Sequence, residues 1–321
     1  MSLTFRILEQ LADGKFHSGE ALATQFDISR ARVWQAVDEL RGLGLEIAAV
    51  TGRGYKIFDG LELLNEQQIK SHLPEDLALN TEFIMCEHTG STNSVLSEQL
   101  RQNKIASGTV CLAEYQSLGR GRLGRTWVSP ISSNIYCSIA WQFKQSASQL
   151  MGLSLVTGLA VIEALQQIGA KNIGLKWPND IFYQGKKLGG ILVEIAGDAL
   201  GPCDVVIGIG LNVNMPRHIK IDQAFTDLSQ IMQRRVSRNQ LIAHMITSLN
   251  QYLPRFSEYG FNGFINEWLK YDILHNQPVK ITQLDQILDG FAIGIDEQGQ
   301  LKVKIGDKEQ RLTSAEVSVS L

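Results

Sequence analysis

The first 60 residues carry apolar positions at helical spacing, interrupted by capping residues. Apolar side chains recur with that spacing over residues 3–11, and the Asp-Gly pair at 13–14 predicts the end of this helix. Ser18 and Ser29 are placed to cap a second and a third helix, with a tight turn between them. The pattern therefore predicts a helix-turn-helix over about residues 19–38.

Two apolar runs, at residues 45–50 and 55–58, flank a basic, glycine-rich turn and predict a β-hairpin. Residues 1–60 are thus expected to form a winged helix-turn-helix domain. The start of the third helix and the hairpin would contact DNA bases and phosphates. The expected DNA-binding residues are Ser29, Arg30, Arg32, Arg53 and Lys56.

A three-helix bundle that contacts proteins is the alternative for this segment. Residues 1–60 hold seven Lys and Arg and eight Asp and Glu, so their bulk charge does not separate the two interpretations. The placement of the arginines favours DNA binding.

The rest of the chain mixes strand-like and helix-like runs, which indicates an α+β fold. Residues 61–275 contain predicted strands at 83–86, 109–113 and 204–214 and a long apolar helix at 148–168. A final domain, 276–321, contains short apolar runs typical of a small β-barrel. These predicted strands are 278–281, 287–295, 301–305 and 311–319.

Composition and charge narrow the class of protein. The net charge of -3 excludes a polybasic nucleic-acid binder as a description of the whole chain. The longest apolar run, 150–162, is too short to span a membrane, and no signal peptide is visible, so a cytoplasmic protein without a membrane partner is expected. Four scattered cysteines and six scattered histidines lack the spacing of a disulfide framework or of a metal site built from side chains.

The loop from Gly119 to Arg125 carries the most informative chemistry. Three arginines alternate with three glycines, and no Asp or Glu occurs from Tyr115 through Ile162. Glycine allows close approach of the backbone to a ligand, and arginine offers a planar cation for phosphate or carboxylate. The loop is therefore predicted to order over an anionic ligand. A solvated basic loop, or a nonspecific contact with nucleic acid, is the alternative.

A second polar cluster interrupts a strand at residues 176–180, where a Pro-Asn-Asp turn would direct Asn179 and Asp180 outward. A hairpin leads from it to Lys187 and the pair Gly189-Gly190, which indicates close backbone approach. An ordinary hairpin corner is the alternative. The later Gly-x-Gly at 208–210 lacks the rest of a dinucleotide fingerprint, and the chain has no P-loop motif.

Four motifs occur together in one order: Ser91-Thr92-Asn93, the 119–125 loop, the segment 176–180 and the segment 187–194. In this combination they closely resemble biotin–protein ligases. With the winged helix added, the chain resembles the bifunctional bacterial form, which is both biotin ligase and repressor of the biotin operon. The resemblance implies a mixed-sheet, class II synthetase-like catalytic domain and a C-terminal SH3-like β-barrel.

The resemblance also implies a two-step reaction. Biotin and MgATP give biotinyl-5′-AMP and pyrophosphate, and a lysine of the biotin carboxyl carrier protein of acetyl-CoA carboxylase then attacks the adenylate. The implied catalytic residues are Lys187, Arg122 and Asp180. The implied biotin-binding residues are Ser91, Thr92, Asn93, Gln116, Arg120, Gly121, Arg122 and Lys187. The implied nucleotide-binding residues are Arg122, Trp127, Asn179 and Asp180, although Trp127 could equally belong to the core.

In proteins of this kind the adenylate also acts as corepressor. It promotes a homodimer that places two winged helices on an inverted-repeat operator, and ordering of the arginine loop is the expected coupling element. Two alternatives stay open: a ligand-sensing transcription factor without ligase activity, and a lipoate–protein ligase. At the C-terminus Glu316 matches the family pattern, whereas Ser320 stands where an arginine is expected.

Overall fold

The computed structural model describes residues 2–195, 201–283, 286–313 and 316–319. Its N-terminal part contains three helices and a two-stranded antiparallel hairpin, as the apolar pattern predicts. They are α1 (Leu3–Leu11), α2 (Gly19–Phe26), α3 (Arg30–Gly42), β1 (Ile47–Val50) and β2 (Gly54–Ile57).

Serine hydroxyls begin the three N-terminal helices. The side chains of Ser2, Ser18 and Ser29 each accept a hydrogen bond from the backbone N–H three residues further on. Asp27 adopts the left-handed conformation, with φ of 53°, and makes the turn between α2 and α3. A helix-turn-helix is therefore present at the predicted place.

The core of this N-terminal domain includes a residue from much later in the chain. Buried side chains of α1, α2 and α3 form one apolar cluster with Ile47 and Ile57 of the hairpin, and Ile131 belongs to the same cluster. Tyr115, half-buried, packs against it. The N-terminal domain is thus attached to the following domain by a shared core.

A buried ion pair lies where the chain leaves the N-terminal domain. Arg238 and Glu114, whose side chains are 3% and 8% exposed, approach to 2.9 Å. Glu62 accepts hydrogen bonds from the Ser237 hydroxyl and from the backbone N–H of Arg238, and its carbonyl accepts from the Arg238 guanidinium. Burial makes this junction sensitive to the loss of either charge.

The central domain is built on a seven-stranded mixed sheet. Its strands are β3 (Phe83–Thr89), β4 (Val110–Gln116), β5 (Ile135–Phe143), β6 (Gly174–Lys176), β7 (Asp180–Tyr183), β8 (Lys186–Ile195) and β9 (Cys203–Leu211). In the order β3-β4-β5-β9-β8-β7-β6, only the β3–β4 pair is parallel.

Helices cover both faces of this sheet. They are α4 (Glu66–Ser71), α5 (Glu75–Asn80), α6 (Thr92–Arg101), α7 (Leu153–Gln167), α8 (Leu228–Met232), α9 (Arg238–Tyr259) and α10 (Ile265–Trp268). α7 and α9 share the largest apolar core with one face, and α6 buries Leu96 and Leu100 against the other. Within the described ranges, no helix combines the length and the apolarity that a bilayer crossing requires.

The predicted helix over 148–168 was wrong at its start. A 3-10 turn occupies Ala147–Leu150, and α7 begins only at Leu153. Gly152 precedes it with φ of 85°, and a Cβ at that position would lie 2.7 Å from the Phe261 side chain. The left-handed conformation of Gly152 and its contact with a ring far away in sequence separate the 3-10 turn from α7. Apolar periodicity cannot reveal such a contact.

The C-terminal part is a five-stranded antiparallel sheet. Its strands are β10 (Gln277–Gln283), β11 (Gln286–Ile295), β12 (Leu301–Ile305), β13 (Lys308–Leu312) and β14 (Glu316–Val319). The single strand expected at 311–319 was wrong, because β13 and β14 lie on opposite edges of the sheet. In the described residues no pairing joins these edges, so a closed barrel stays a prediction. Ser320 lies outside the described residues.

Candidate active site

A cavity of about 190 Å³ opens where β4, β7, β8 and β9 meet the loop that follows β4. Its walls include every residue that the sequence assigned to biotin, nucleotide or catalysis. Those residues are Ser91, Thr92, Asn93, Gln116, Arg120, Gly121, Arg122, Trp127, Asn179, Asp180 and Lys187. The fold thus brings together four sequence motifs that are up to about a hundred residues apart.

One end of the cavity is lined by buried, neutral polar groups. The backbone N–H of Thr92 donates to Gln116 Oε1 at 2.9 Å, and Gln116 Nε2 donates to the Ser129 hydroxyl at 3.2 Å. Ser91 stands at the N-cap of α6, yet its hydroxyl makes no capping hydrogen bond. Ser91 lines the cavity instead of capping the helix.

Asn93 and Arg120 meet at a carboxylate that the sequence did not single out. Glu194 Oε2 accepts from Asn93 Nδ2 at 2.6 Å and from Arg120 Nη2 at 2.8 Å. Asn93 is so close to β9 that a Cβ on Gly208 would collide with its amide. Glu194 therefore links α6, the arginine loop and β8.

The arginine loop folds back on itself as a short hairpin. The Gly121 N–H donates to the Arg125 carbonyl at 2.7 Å, and the Trp127 N–H donates to the Gly119 carbonyl at 2.9 Å. Gly119 fits only without a side chain, because a Cβ there would collide with the Trp127 carbonyl. Leu123 is exposed at the tip, with φ of 54°.

Cationic side chains and the carboxylate of Asp180 lie together at the other end of the cavity. Lys187 Nζ lies 2.8 Å from Asp180 Oδ1, and both side chains are mostly buried. Arg122 Nη1 donates to Asn179 Oδ1 at 3.2 Å. Burial lowers the pKa of Arg122, and the negative charge of Asp180 partly opposes this shift. The Arg122 guanidinium nevertheless keeps its positive charge near neutral pH, because the ordinary pKa of arginine is so high.

The Pro-Asn-Asp corner is fixed from both sides. The Trp177–Pro178 bond is cis, and Asn179 Nδ2 donates to the Ile191 carbonyl at 2.7 Å. The buried Trp177 indole donates to the Gly299 carbonyl in the C-terminal sheet at 2.9 Å. The corner therefore orients Asn179 and Asp180 toward the cavity rather than closing an ordinary hairpin.

Trp127 forms a half-buried wall of the cavity and is not part of the main core. Its ring lies over two glycines: a Cβ on Gly210 would be 2.5 Å from it, and a Cβ on Gly190 would be 3.3 Å away. Lys187 Nζ lies 5.7 Å from the ring centroid. Within the described part of the chain, the indole Nε1 is buried without a hydrogen-bond partner.

Sequence reasoning missed several residues around the cavity. Gly208 and Gly210 form part of a strand that has no fingerprint of its own, yet they make room for Asn93 and Trp127. The backbone of Lys187 is held by the segment after β9, because its N–H donates to the Ala224 carbonyl at 3.0 Å. Further lining residues are Ile221, Gln223, Phe225 and Val317. No local motif marks them, since each reaches the cavity through tertiary packing.

Four of the five expected DNA-binding residues are exposed, and Lys56 is half-buried. Arg30 and Arg32 occupy the first turn of α3, and Arg32 donates to Gln35 Oε1 at 3.0 Å. Trp34, in the same exposed face, is 54% exposed, and sequence reasoning did not select it. In the hairpin, the Arg53 guanidinium lies 4.1 Å from the centroid of the Phe16 ring.

Lys56 also lies near that ring, with Nζ 5.5 Å from its centroid. Ser29, the fifth expected DNA-binding residue, uses its hydroxyl to cap α3. The structure therefore presents cations from both the helix and the hairpin.

The cavity can bind two anionic groups at once. Lys187, Arg122 and Arg120 line one continuous space, which offsets the repulsion between two anions brought into contact. The neutral end offers amides and hydroxyls with few charges, which suits a polar but uncharged head group. Preorganised cations of this kind stabilise negative charge that develops between reacting groups.

Comparison with known proteins agrees with this geometry. Residues 85–212 match the model of the Biotin/lipoate A/B protein ligase family, residues 4–56 match an HTH domain, and residues 274–320 match the Biotin protein ligase C terminal domain. The biotin protein ligase from Aquifex aeolicus, solved in complex with biotin and ATP, superposes with a TM-score of 0.64 and 28% identity. That match covers 74% of this chain and 99% of the other.

Two curated relatives extend over nearly the whole chain. The bifunctional ligase/repressor BirA of Bacillus subtilis is 28% identical over 311 residues, which cover 96% of this chain and 95% of the relative. The bifunctional ligase/repressor BirA of Escherichia coli is 36% identical over 302 residues, which cover 94% of this chain and 92% of the relative. This chain therefore belongs to the biotin protein ligase family and is homologous to those members that combine a ligase with a repressor.

Proposed function

We propose that this protein is an ATP-dependent biotin–protein ligase that makes biotinyl-5′-AMP and transfers biotin to a carrier protein. The observation that carries the proposal is the cavity itself, which joins a neutral polar end to an end lined by Lys187, Arg122 and Asp180. Biotin has the matching shape, with an uncharged ureido head and an anionic carboxylate. The similarity to bifunctional ligase/repressor proteins, and to the Aquifex ligase solved with biotin and ATP, supports the same ligands.

In the first step, a carboxylate oxygen of biotin attacks the α-phosphorus of ATP, and pyrophosphate leaves with the electrons of the broken P–O bond. Lys187 and Arg122 hold the two anions together and offset the charge that builds on the phosphoryl oxygens. Asp180 holds Lys187 at 2.8 Å and lies on the side where Mg²⁺ would enter with the substrate ATP. Trp127 and Asn179 would line the nucleotide side.

In the second step, the neutral ε-amine of a carrier lysine attacks the adenylate carbonyl, AMP leaves, and the lysine loses a proton. Positioning drives this step, because the mixed anhydride is already reactive. We assign the neutral end of the cavity to biotin. Its proposed contacts are Ser91, Thr92, Asn93, Gln116, Arg120 and Gly121, with Arg122 and Lys187 at the carboxylate.

Covalent transfer tests the enzymatic proposal directly. The full chain is incubated with biotin, MgATP and the biotin carboxyl carrier domain of acetyl-CoA carboxylase, and the carrier is weighed by mass spectrometry. We expect one biotinyl group on one lysine. If the carrier stays unmodified at a protein concentration that binds biotin, the protein is a ligand sensor without ligase activity. Replacing biotin with lipoate tests the second family activity, and preferential lipoyl transfer would contradict the proposal.

We also propose that the protein represses transcription of the biotin operon, with biotinyl-5′-AMP as corepressor. The support is the exposed, cationic first turn of α3 together with Arg53 and Lys56 of the hairpin. Two such domains in a homodimer would bind an inverted repeat with two-fold symmetry. Ordering of the arginine loop over the adenylate would favour that dimer.

DNA binding and dimerisation are tested in one experiment. Sequences are selected from a random duplex pool by the full chain with biotin and MgATP, and binding is then measured with and without biotin. We expect an inverted repeat, bound more tightly with biotin, by a particle of twice the chain mass in analytical ultracentrifugation. Recovery of no preferred sequence would remove the repressor role and leave the ligase proposal untouched.

The same proposal divides the chain into a DNA-binding domain at 1–60, a catalytic domain at 61–275 and a C-terminal domain at 276–321. The three matched family models fall within or close to these bounds. A class II synthetase-like catalytic fold and a C-terminal SH3-like barrel remain part of this proposal.

A further inference from the structure

Glu194 occupies a central position that neither the motifs nor the proposed roles explain. It is the ninth residue of β8, its side chain is 29% exposed, and one of its oxygens holds both Asn93 and Arg120. The two bonded groups belong to different parts of the site. Asn93 lies at the neutral end of the cavity, and Arg120 lies in the loop that covers it.

The bond from Asn93 to Glu194 fixes the orientation of the Asn93 amide. Asn93 Nδ2 lies within hydrogen-bond distance of Glu194 Oε2 and of the Leu192 carbonyl, and both of these oxygens only accept. The amide nitrogen must therefore face them. Asn93 Oδ1 then faces the interior of the site as an acceptor.

This orientation determines the direction of a chain of hydroxyl groups. Ser138 Oγ lies 2.6 Å from Asn93 Oδ1 and 2.7 Å from Thr92 Oγ1. A serine hydroxyl carries one proton, and Asn93 Oδ1 cannot donate, so Ser138 donates to Asn93. Since the Ser138 proton is then used, Thr92 must supply the proton of its 2.7 Å contact with Ser138, which is shorter than its 3.2 Å contact with Gln116 Oε1.

The end of this chain faces the ligand. With its proton directed to Ser138, the Thr92 hydroxyl presents only lone pairs to the cavity it lines. It can accept a hydrogen bond from an N–H group of a ligand but cannot donate to a ligand oxygen. Buried hydrogen-bond networks with one defined direction discriminate strongly, because a mismatched ligand leaves a polar group unpaired.

We infer that Glu194 is a positioning residue with two roles: it orients the Asn93–Ser138–Thr92 chain as an acceptor for a ligand N–H, and it tethers the arginine loop through Arg120. In the proposed function, which this inference deepens, that N–H belongs to the ureido ring of biotin. The carboxylate is suited to both roles, because an acceptor-only group can receive both donors and its charge strengthens both hydrogen bonds.

Two substitutions separate the roles. Glu194→Met removes the closer of the two acceptors and leaves only the Leu192 carbonyl, 3.3 Å away, to hold the Asn93 amide nitrogen. We expect the dissociation constant for biotin, measured by calorimetry without ATP, to rise about tenfold. Glu194→Gln keeps an acceptor for Asn93 but loses the charge that holds Arg120. This variant should keep biotin affinity within about threefold and release preformed biotinyl-5′-AMP about tenfold faster.

Controls distinguish positioning from a general structural effect. Glu98→Met, at a surface ion pair on the same helix as Asn93, should match the wild type in biotin affinity, and the KM for ATP should stay constant in all variants. Ser138→Ala breaks the same chain at its middle and should also weaken biotin binding, with slower adenylate release than Glu194→Gln.

The inference is overturned if Glu194→Met and Ser138→Ala bind biotin like the wild type. Equal losses in biotin and ATP affinity in the Glu194 variants would also overturn it. Failure of the proposed function looks different, because the wild-type protein itself would then bind no biotin or transfer none to a carrier.

Discussion

Asp180 and Glu194 bring negative charge to a loop that has none nearby in sequence. The stretch from Tyr115 to Ile162 contains no acid, yet Arg120 lies 2.8 Å from Glu194, and Lys187 lies 2.8 Å from Asp180. The sequence selected Lys187, Asp180 and Arg120, and the structure places them around one cavity, but it indicated neither the pairing of Lys187 with Asp180 nor the partner of Arg120. Partners supplied by other strands depend on the sheet order, which local patterns do not encode.

At the same scale, Lys187 is the residue on which adenylation depends most in the proposed mechanism. Lys187→Ala should lower the rate of biotin-dependent pyrophosphate release at least about a hundredfold, because a preorganised cation is removed from the reacting anions. Lys186→Ala, at the exposed neighbour on the same strand, serves as control and should retain the wild-type rate. An equal rate in the two variants would contradict the assignment.

Activity should be as sensitive to substitution of Gly210 as to substitution of a charged residue of the site, although Gly210 has no side chain. Gly210→Ala would place a Cβ 2.5 Å from the Trp127 ring and displace this wall of the cavity. We expect the KM for ATP to rise about tenfold, since overpacking of this kind costs about 1–3 kcal/mol. Gly42→Ala, whose Cβ would meet no atom of the described residues within 4 Å, should leave ATP kinetics unchanged.

Individual elements were predicted best where their ends are set locally. Ser18 and Ser29 cap α2 and α3 as their sequence context indicates, and the hairpin has its turn at the expected glycines. The predicted start of α7 was wrong because Gly152 is constrained by Phe261, which is a contact between distant parts of the chain. The single strand predicted at 311–319 was wrong because β13 and β14 pair with different strands on opposite edges of the sheet, which a local pattern does not encode.

Helix α3 allows a prediction that separates charge from shape in DNA recognition. Trp34→Ala and Arg32→Ala should each weaken binding to the selected DNA about tenfold at fixed salt while leaving biotin transfer intact. Only Arg32→Ala should reduce the slope of log affinity against log salt, by about one unit, because only arginine neutralises a phosphate.

Leu79→Ala provides the control for Trp34, since Leu79 is an exposed apolar residue outside the N-terminal domain. A Trp34 variant that binds DNA as tightly as this control would exclude the exposed indole from the DNA interface. An unchanged salt slope in Arg32→Ala would place that guanidinium away from the phosphates.

For the whole molecule, the buried pair joins Glu114 of β4 to Arg238 of α9, and both side chains also hydrogen-bond the backbone of the linker after the N-terminal domain. Glu114→Gln leaves the Arg238 charge buried without its counter-ion and should lower the free energy of unfolding by about 3 kcal/mol. Glu98→Gln, at a surface pair with Arg101, should cost less than about 1 kcal/mol. Urea titrations of both variants measure the difference, and equal midpoints would show that the buried pair contributes no more to stability than the surface pair.

The domain order was predictable from the chain, because each segment carries its own pattern. The contacts between the domains were not, since Ile131, Glu114 and Trp177 have no local feature that indicates a partner in another domain. The candidate site lies at such a junction: Val317 of the C-terminal sheet lines the cavity, and the Trp177 indole donates to Gly299.

Ile131 has a consequence for any attempt to exchange parts between related proteins. It lies four positions after Trp127, within the segment that leaves the arginine loop, and its buried side chain belongs to the apolar cluster of α1, α2, α3 and the hairpin. A DNA-binding domain from another protein, joined at residue 60, would lack an apolar pocket shaped for this side chain. A stable chimera must therefore exchange the N-terminal domain together with the segment that carries Ile131.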